Sequence, residues 1–299
     1  MEYLSMKIIA PATLGKDISL MGDIGFPSLL IHGGIPVMFD AGISIMGPVY
    51  IKALREHLNM RPLKILYLTH SHYDHAGSCS LMKGHYPSLK IAGHGLARDV
   101  MKNPRALSTM KSLSDVYRQI LGLTGPETEF FPPSIELILK DGDVINLGEG
   151  MTVRVLETPG HTRDSLSFFI EPLRAVVLGE ALGVVQIDGN ICPEFLTDFK
   201  AYVDSALKII NTNPSVIIMP HGPSLTGDDA LTFLGCVISA AYMWKDMIGE
   251  SLHDTSGDID LSTQKLFDRL YDPARIGQEM NAFRTNLRAK VACIKKLDS

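Results

Sequence analysis

Residues 69–77 read Thr-His-Ser-His-Tyr-Asp-His-Ala-Gly and place His70, His72, Asp74 and His75 within six positions. They follow the apolar, β-leaning run Ile65-Leu66-Tyr67-Leu68. His70 and His72 are two apart, so at the end of an extended strand both point to the same side. Asp74 and His75 fall where a helix can begin, since Ala76 to Tyr86 reads helical, and a carboxylate in a first turn is favoured by the helix dipole. Neutral imidazole and carboxylate are ligands for divalent metals. A polar loop could carry one histidine by chance; four donors at the mouth of a buried strand read as a metal site. His85 and His94 each stand alone, without a partner at metal spacing, and read as surface or core histidines.

The elements that must hold this stretch are legible on either side of it. Strand-like runs at Ile18–Met21, Ser28–Ile31 and Pro36–Phe39 precede it, with Gly33-Gly34 as a turn. Residues 47–59 have the pattern of an amphipathic helix packed outside a sheet. After the motif, Lys90–His94 reads as a strand and Leu96 to Leu123 as one helix, basic on its polar positions and able to form a wall of a pocket or simply a solvated face. Strand signals resume at Glu136–Leu139, Val144–Leu147 and Thr152–Leu156, then as a hairpin of Ser165–Ile170 and Ala175–Leu178. A helix over Thr197–Ile210 leads, past Pro214, into a strand ending at His221. Beyond residue 224 the strand signals thin out and three helical runs appear, near 227–250, 262–271 and 276–297.

His-x-His-x-Asp-His after a strand resembles the signature of the metallo-β-lactamase superfamily. Separated motifs in family order extend the resemblance over about residues 17 to 222: Phe39-Asp40-Ala41-Gly42, Thr158-Pro159-Gly160-His161, Gly179-Glu180, and Met219-Pro220-His221-Gly222. The resemblance implies an αββα sandwich over residues 1–223 and a C-terminal helical extension over 224–299 that covers the active-site cleft. It implies that His70, His72 and His161 hold one metal and that Asp74, His75 and His221 hold another. Glu180 stands where the family has a bridging aspartate, one methylene longer. Asp40 would orient a ligand histidine from behind, and Asp74 would orient the attacking hydroxide as well as bind metal. The Gly-acid-Ala-Leu-Gly context of Glu180, with the C-terminal helices, is also similar to the pseudomonad quinolone-pathway thioesterases.

The expected activity is metal-dependent hydrolysis by a metal-held hydroxide, on an ester or thioester such as an acyl-CoA. The alternatives are a lactonase or glyoxalase II-like hydrolase, a non-haem iron redox enzyme, and a regulatory protein with incidental hydrolysis. No Gly-x-Ser-x-Gly nucleophile motif competes with the metal reading. Two divalent ions are expected; zinc is the default for hydrolysis, with iron or manganese compatible with the same donors.

With 299 residues, 45% of them hydrophobic and 20% charged, the chain can bury a large core. A formal charge of -5 gives no general attraction to nucleic acid or an anionic membrane. The sequence shows no apolar run of bilayer-spanning length and no signal peptide. Cys79, Cys192, Cys236 and Cys293 are far apart and read as free thiols of a reducing compartment, the cytoplasm by expectation. The expected partner is a small-molecule substrate, with a second copy of the chain as a candidate through the apolar stripe near residues 231–247. In the last helix Arg284, Arg288 and Lys295 share one face. They either complement the helix dipole at a structural helix or offer cations to a phosphate-bearing leaving group.

Overall fold

Alternation with a period of two assigns each strand residue to one of two faces, and both faces are buried here. In the run Leu29-Leu30-Ile31, the outer two side chains join one apolar cluster and Leu30 joins another. Phe168-Phe169-Ile170 repeats the arrangement in the second half of the chain. Strands apolar on both faces must be covered on both, one by a second sheet and the other by helices.

The computed structural model describes residues 6–297 and bears out this layering. Its first half runs β1 Met6–Ile8, β2 Ala12–Gly15, β3 Ile18–Gly22, β4 Pro27–Ile31, β5 Val37–Phe39, α1 Gly47–Leu58 and β6 Ile65–Tyr67. It continues with α2 Tyr73–Ala76, α3 Cys79–His85, β7 Lys90–His94, α4 Gly95–Val100, α5 Pro104–Ile120 and β8 Leu137–Leu139. The second half runs β9 Val144–Gly148, β10 Met151–Glu157, β11 Leu166–Glu171, β12 Ala175–Val177, β13 Val184–Val185, β14 Ile191–Cys192 and α6 Phe199–Ile210. Last come β15 Val216–Ile218, β16 Ser224–Thr226, α7 Gly227–Asp254, α8 Ile259–Leu270 and α9 Met280–Lys295.

Two seven-stranded mixed sheets result, ordered β2-β3-β4-β5-β6-β7-β8 and β1-β16-β15-β12-β11-β10-β9. Between them lies a core of Leu20, Leu29, Ile31, Val37, Phe39, Tyr67, Val153, Val155, Phe168, Ile170 and Val177. Phe39, Tyr67 and Phe168 meet there with ring centroids 5.2–5.6 Å apart. Outside the first sheet, Tyr50, Ile51, Leu54 and Leu58 of α1 pack over Leu30, Met38 and Leu66. Outside the second, α6 and the start of α7 cover Phe169, Val176 and Ile217. This is the αββα sandwich that the strand pattern and the resemblance led us to expect.

The differences are local and have causes. The helix expected over 96–123 is two, because Asn103 caps α5 by accepting from the backbone N–H groups of Arg105 and Ala106, with Pro104 next. The helix expected from Ala76 to Tyr86 begins at Cys79 as α3, after a separate helical turn, α2, that carries Asp74 and His75. Ser224–Thr226 is a sheet strand, paired to both β15 and β1, so the helical extension begins at Gly227 rather than 224. Finally, α7 is 28 residues long and apolar enough, by length and composition, to cross a membrane, where the sequence reading found no such run. In the structure its apolar stripe, including Phe233, Val237, Trp244, Ile248 and Leu252, is packed into the protein.

The inter-sheet core makes a direct prediction. Phe168→Ala empties a fully buried ring site between Phe39 and Tyr67 and is expected to destabilise the fold by about 3–5 kcal/mol. Chemical denaturation measures this; a loss below about 1 kcal/mol would mean that the two sheets do not depend on this contact.

Candidate metal centre

Strands β5 and β6 run parallel in the first sheet, and β12 and β15 run parallel in the second. The chain leaves the ends of β5, β6, β12 and β15 at Asp40, Thr69, Glu180 and His221 within a few residues. Carboxyl ends of parallel strands are where open α/β sheets place their ligand sites. A fifth loop, after β10, brings His161.

The side chains form two groups, His70, His72 and His161, and Asp74, His75, Glu180 and His221; within each, the donor atoms lie within 4.8 Å of one another. Glu180 joins them. Its Oε2 is 3.3 Å from His70 Nε2 and 3.6 Å from His161 Nε2. Its Oε1 is 3.2 Å from Nε2 of both His75 and His221. His221 Nε2 is also 3.6 Å from Asp74 Oδ2, and His72 Nδ1 is 3.1 Å from His161 Nε2.

The backs of the rings are fixed. His161 Nδ1 lies 2.8 Å from the Glu194 carbonyl and His221 Nδ1 lies 2.7 Å from the Gly25 carbonyl. His75 Nδ1 lies 2.8 Å from Asp40 Oδ2. A carbonyl or carboxylate only accepts, so these Nδ1 atoms carry protons, and the Nε2 atoms face inward, where a metal ion would take up their lone pairs in place of a proton. Asp40 is held in turn by the Thr69 backbone N–H and hydroxyl, which donate to its two oxygens at 2.8 Å each. Asp40 adopts a left-handed backbone (φ 58°), a conformation that Asp tolerates better than most side chains. At Gly77 a Cβ would come within 2.6 Å of backbone atoms of Ser44, Tyr73 and Gly42, so the helix bearing Asp74 and His75 can lie against the Asp40 loop only with glycine there.

The donors fit metal ions. His70 Nε2, Asp74 Oδ1 and Glu180 Oε2 are buried without a hydrogen-bond partner, an arrangement that a protein otherwise avoids. Two ligands of one tetrahedral zinc at 2.0–2.1 Å stand about 3.3 Å apart, close to the spacings across both groups. Burial holds His70 well below the usual histidine pKa, and burial with the neighbouring His161 lowers His72. Both are thereby kept in the neutral, ligating form. Burial would raise Glu180, but the facing His75, His161 and His70 outweigh it and hold that carboxyl well below its ordinary range.

The sequence profile of the metallo-beta-lactamase superfamily matches residues 22–221, a span running from the end of β3 to the last of these donors. The chain belongs to the metallo-beta-lactamase superfamily. Among relatives, it is 24% identical over 205 residues to the probable metallo-hydrolase YflN of Bacillus subtilis, covering 64% of this chain and 76% of that one. It is 27% identical over 169 residues to the acyl-coenzyme A thioesterase MBLAC2 of Bos taurus, covering 52% of this chain and 56% of that protein. The chain thus spans little more than half of that thioesterase. A beta-lactamase domain protein of Burkholderia ambifaria shares the fold with a TM-score of 0.70 at 15% identity, covering 97% of this chain and 89% of that one.

All seven residues that the superfamily resemblance put forward as ligands lie in the cluster, with Asp40 behind His75. Arg284 and Arg288 are not among the clustered donors. Arg284 donates to Gln264 and lies over the Phe267 ring, and Arg288 pairs with Asp260 at 2.8 Å, so both guanidinium groups are engaged by α8. Their shared helical face borders the apolar stripe that packs into the protein, and its cations reach across to α8. His94 caps α4 and His85 is exposed, neither among the clustered donors. Sequence reasoning missed Asp164, which accepts from the Ser71 N–H at 2.9 Å, and the carbonyls of Gly25 and Glu194. A carbonyl has no sequence signal, since every residue has one.

Asp40→Asn tests the support of His75. An amide can present its N–H to Nδ1 and reverse the ring's tautomer, and loss of an outer partner typically weakens metal binding 10–100-fold. The variant is expected to keep its circular dichroism spectrum and bind one ion at least tenfold more weakly. Unchanged affinity for every ion would remove Asp40 from the support of the site.

Proposed function

We propose that the protein is a dinuclear metal-dependent hydrolase, with zinc as its metal and a thioester as its substrate. The observation that carries this reading is the Glu180 carboxylate, with one oxygen toward His70 and His161 and the other toward His75 and His221. In this reading His70, His72 and His161 hold one ion, Asp74, His75 and His221 the other, and Glu180 both. Bound dications would lower the pKa of a water and polarise the carbonyl under attack. Glu180 would supply the negative charge that offsets two nearby dications, and Asp74, half-buried beside His221, would accept a hydrogen bond from an attacking water and so orient it. The extra methylene of Glu180 extends its reach by roughly 1.5 Å. Gly179 before it has φ 53°, and a Cβ there would come within 3.0 Å of the Thr69 side chain.

The wall beside Asp74 and His221 is aromatic. Phe26 meets His221 edge-on at 5.6 Å and Tyr117 at 5.9 Å, and Tyr73 and Tyr117 are 6.5 Å apart. Burial, with the nearby Asp74 charge, pushes the Tyr117 hydroxyl up to about 12, so it is a neutral donor. An aromatic wall whose only polar groups are neutral hydroxyls, those of Tyr73 and Tyr117, suits an acyl chain or ring better than a charged group. The thioester assignment draws its support from the acyl-coenzyme A thioesterase relative.

The test begins with metal analysis, expected at close to two ions per chain, followed by kinetics on an acyl-CoA, an acyl-glutathione, a lactone and a phosphodiester. Thioesters should be preferred, and chelation should abolish turnover. Full activity with one ion, or turnover that survives chelation, would sink the dinuclear mechanism. Glu180→Gln keeps the shape but removes the charge between two dications; it is expected to lose at least one ion and about 100-fold or more in kcat. Unchanged metal content and rate would exclude Glu180 from the site.

A further inference from the structure

Behind His161 lies an ion pair that the hydrolytic reading does not use. Lys290 on α9 is 1% exposed, yet it carries an ammonium group. Its Nζ is 2.8 Å from Glu194 Oε1, 3.2 Å from Cys192 Sγ and 4.7 Å from the centre of the Trp244 ring. Glu194 is 3% exposed, and its other oxygen accepts from Asn286 Nδ2 at 3.3 Å, also from α9. The backbone N–H of the same glutamate lies 3.4 Å from the Tyr202 hydroxyl. Its carbonyl, as described above, fixes the His161 ring. The residues that follow clamp the turn carrying this histidine: Leu196 and Thr197 both donate backbone N–H groups to the Gly160 carbonyl, at 3.1 and 3.0 Å.

Desolvation makes such a pair an inefficient way to stabilise a fold, since apolar side chains of equal volume commonly do as well or better. What a buried, fully hydrogen-bonded pair does supply is a fixed position for the backbone that bears it. Here that backbone is the one peptide whose oxygen sets the direction of the His161 lone pair.

We propose that Lys290 is a positioning residue for the metal centre. By pinning the Glu194 side chain, the C-terminal helix α9 holds the Glu194 carbonyl against His161 Nδ1 and so sets the affinity of the His70, His72 and His161 group. The inference rests on the metal reading given above. It makes the helical extension part of the metal site through an interior contact, independent of any contact with substrate.

The experiment compares Lys290→Met, which keeps most of the stem and removes the charge, with Lys290→Arg, which keeps the charge. Titration of metal-free protein with zinc reads the two ions separately, and nitrogen-15 NMR of the metal-free protein reads the His161 tautomer. In wild type His161 is expected to hold its proton on Nδ1. In Lys290→Met one ion should bind about tenfold more weakly, in the range seen for outer-layer partners, with the other unchanged and the His161 tautomers mixed. Lys290→Arg should recover most of the difference. Asn286→Ala, which removes one bond to Glu194 and no buried charge, should shift the same ion by a smaller factor and serves if Lys290→Met does not fold. Equal weakening of both ions, or an unchanged first ion with an unchanged tautomer, would overturn the proposal. A wild-type protein that takes up no zinc would defeat the metal reading alone, and the tautomer comparison would then decide the role of Lys290.

Discussion

The structure depends on burying one carboxylate. Glu180 is 6% exposed, and a lone ionised carboxyl in such a place is strongly unfavourable unless positive or hydrogen-bonding groups surround it. Four imidazoles from three separate segments, those after β6, β10 and β15, surround it here, and each segment leaves the same edge of the sandwich. The two sheets need only apolar contact to pack. Their relative placement at this edge is constrained further, because His70 and His75 belong to one sheet and Glu180 and His221 to the other. The centre therefore acts as a polar seam closing an apolar sandwich.

Support for the seam comes in layers. Nearest are Asp40, the Gly25 and Glu194 carbonyls, and Asp164 beneath Ser71. Further out, Thr69 holds Asp40, and Gly77 admits the Asp40 loop against the helix of the motif. Each layer removes freedom from the one inside it, which is how a protein presents several ligands within the narrow tolerance that a metal demands.

The inner layer was legible from the sequence because it is made of unusual residue types at short or recurrent spacings: three histidines and an acid after an apolar run, and Pro-Gly-His after another. The αββα layering was legible because strand and helix runs alternate in two blocks, each ending on ligand-type residues, as the resemblance implies. Less was readable where the determinant is tertiary. Arg284 and Arg288 have the spacing of a cationic face, and only the position of α8 decides that this face meets Asp260 and Gln264. Lys290 looks like one more member of that basic run, yet it is the one turned into the interior. The break before α5 was present in the sequence as Asn103-Pro104, a cap followed by a residue suited to a first turn, and apolar periodicity on both sides obscured it.

The span of chain drawn into the site has a consequence for how it forms. His221 leans on the carbonyl of Gly25, and Asp74 and His75 lie between them in sequence, while the peptide behind His161 is held from Lys290. Contacts of such long sequence separation form late, because loop closure must precede the energy they return. Each sheet can gather its hairpins first, and the Glu194 side chain behind His161 meets Lys290 only after α9 has docked. During synthesis, then, the motif at residues 70–75 emerges long before the residues that complete and brace it, and the donors converge only once the later segments have folded.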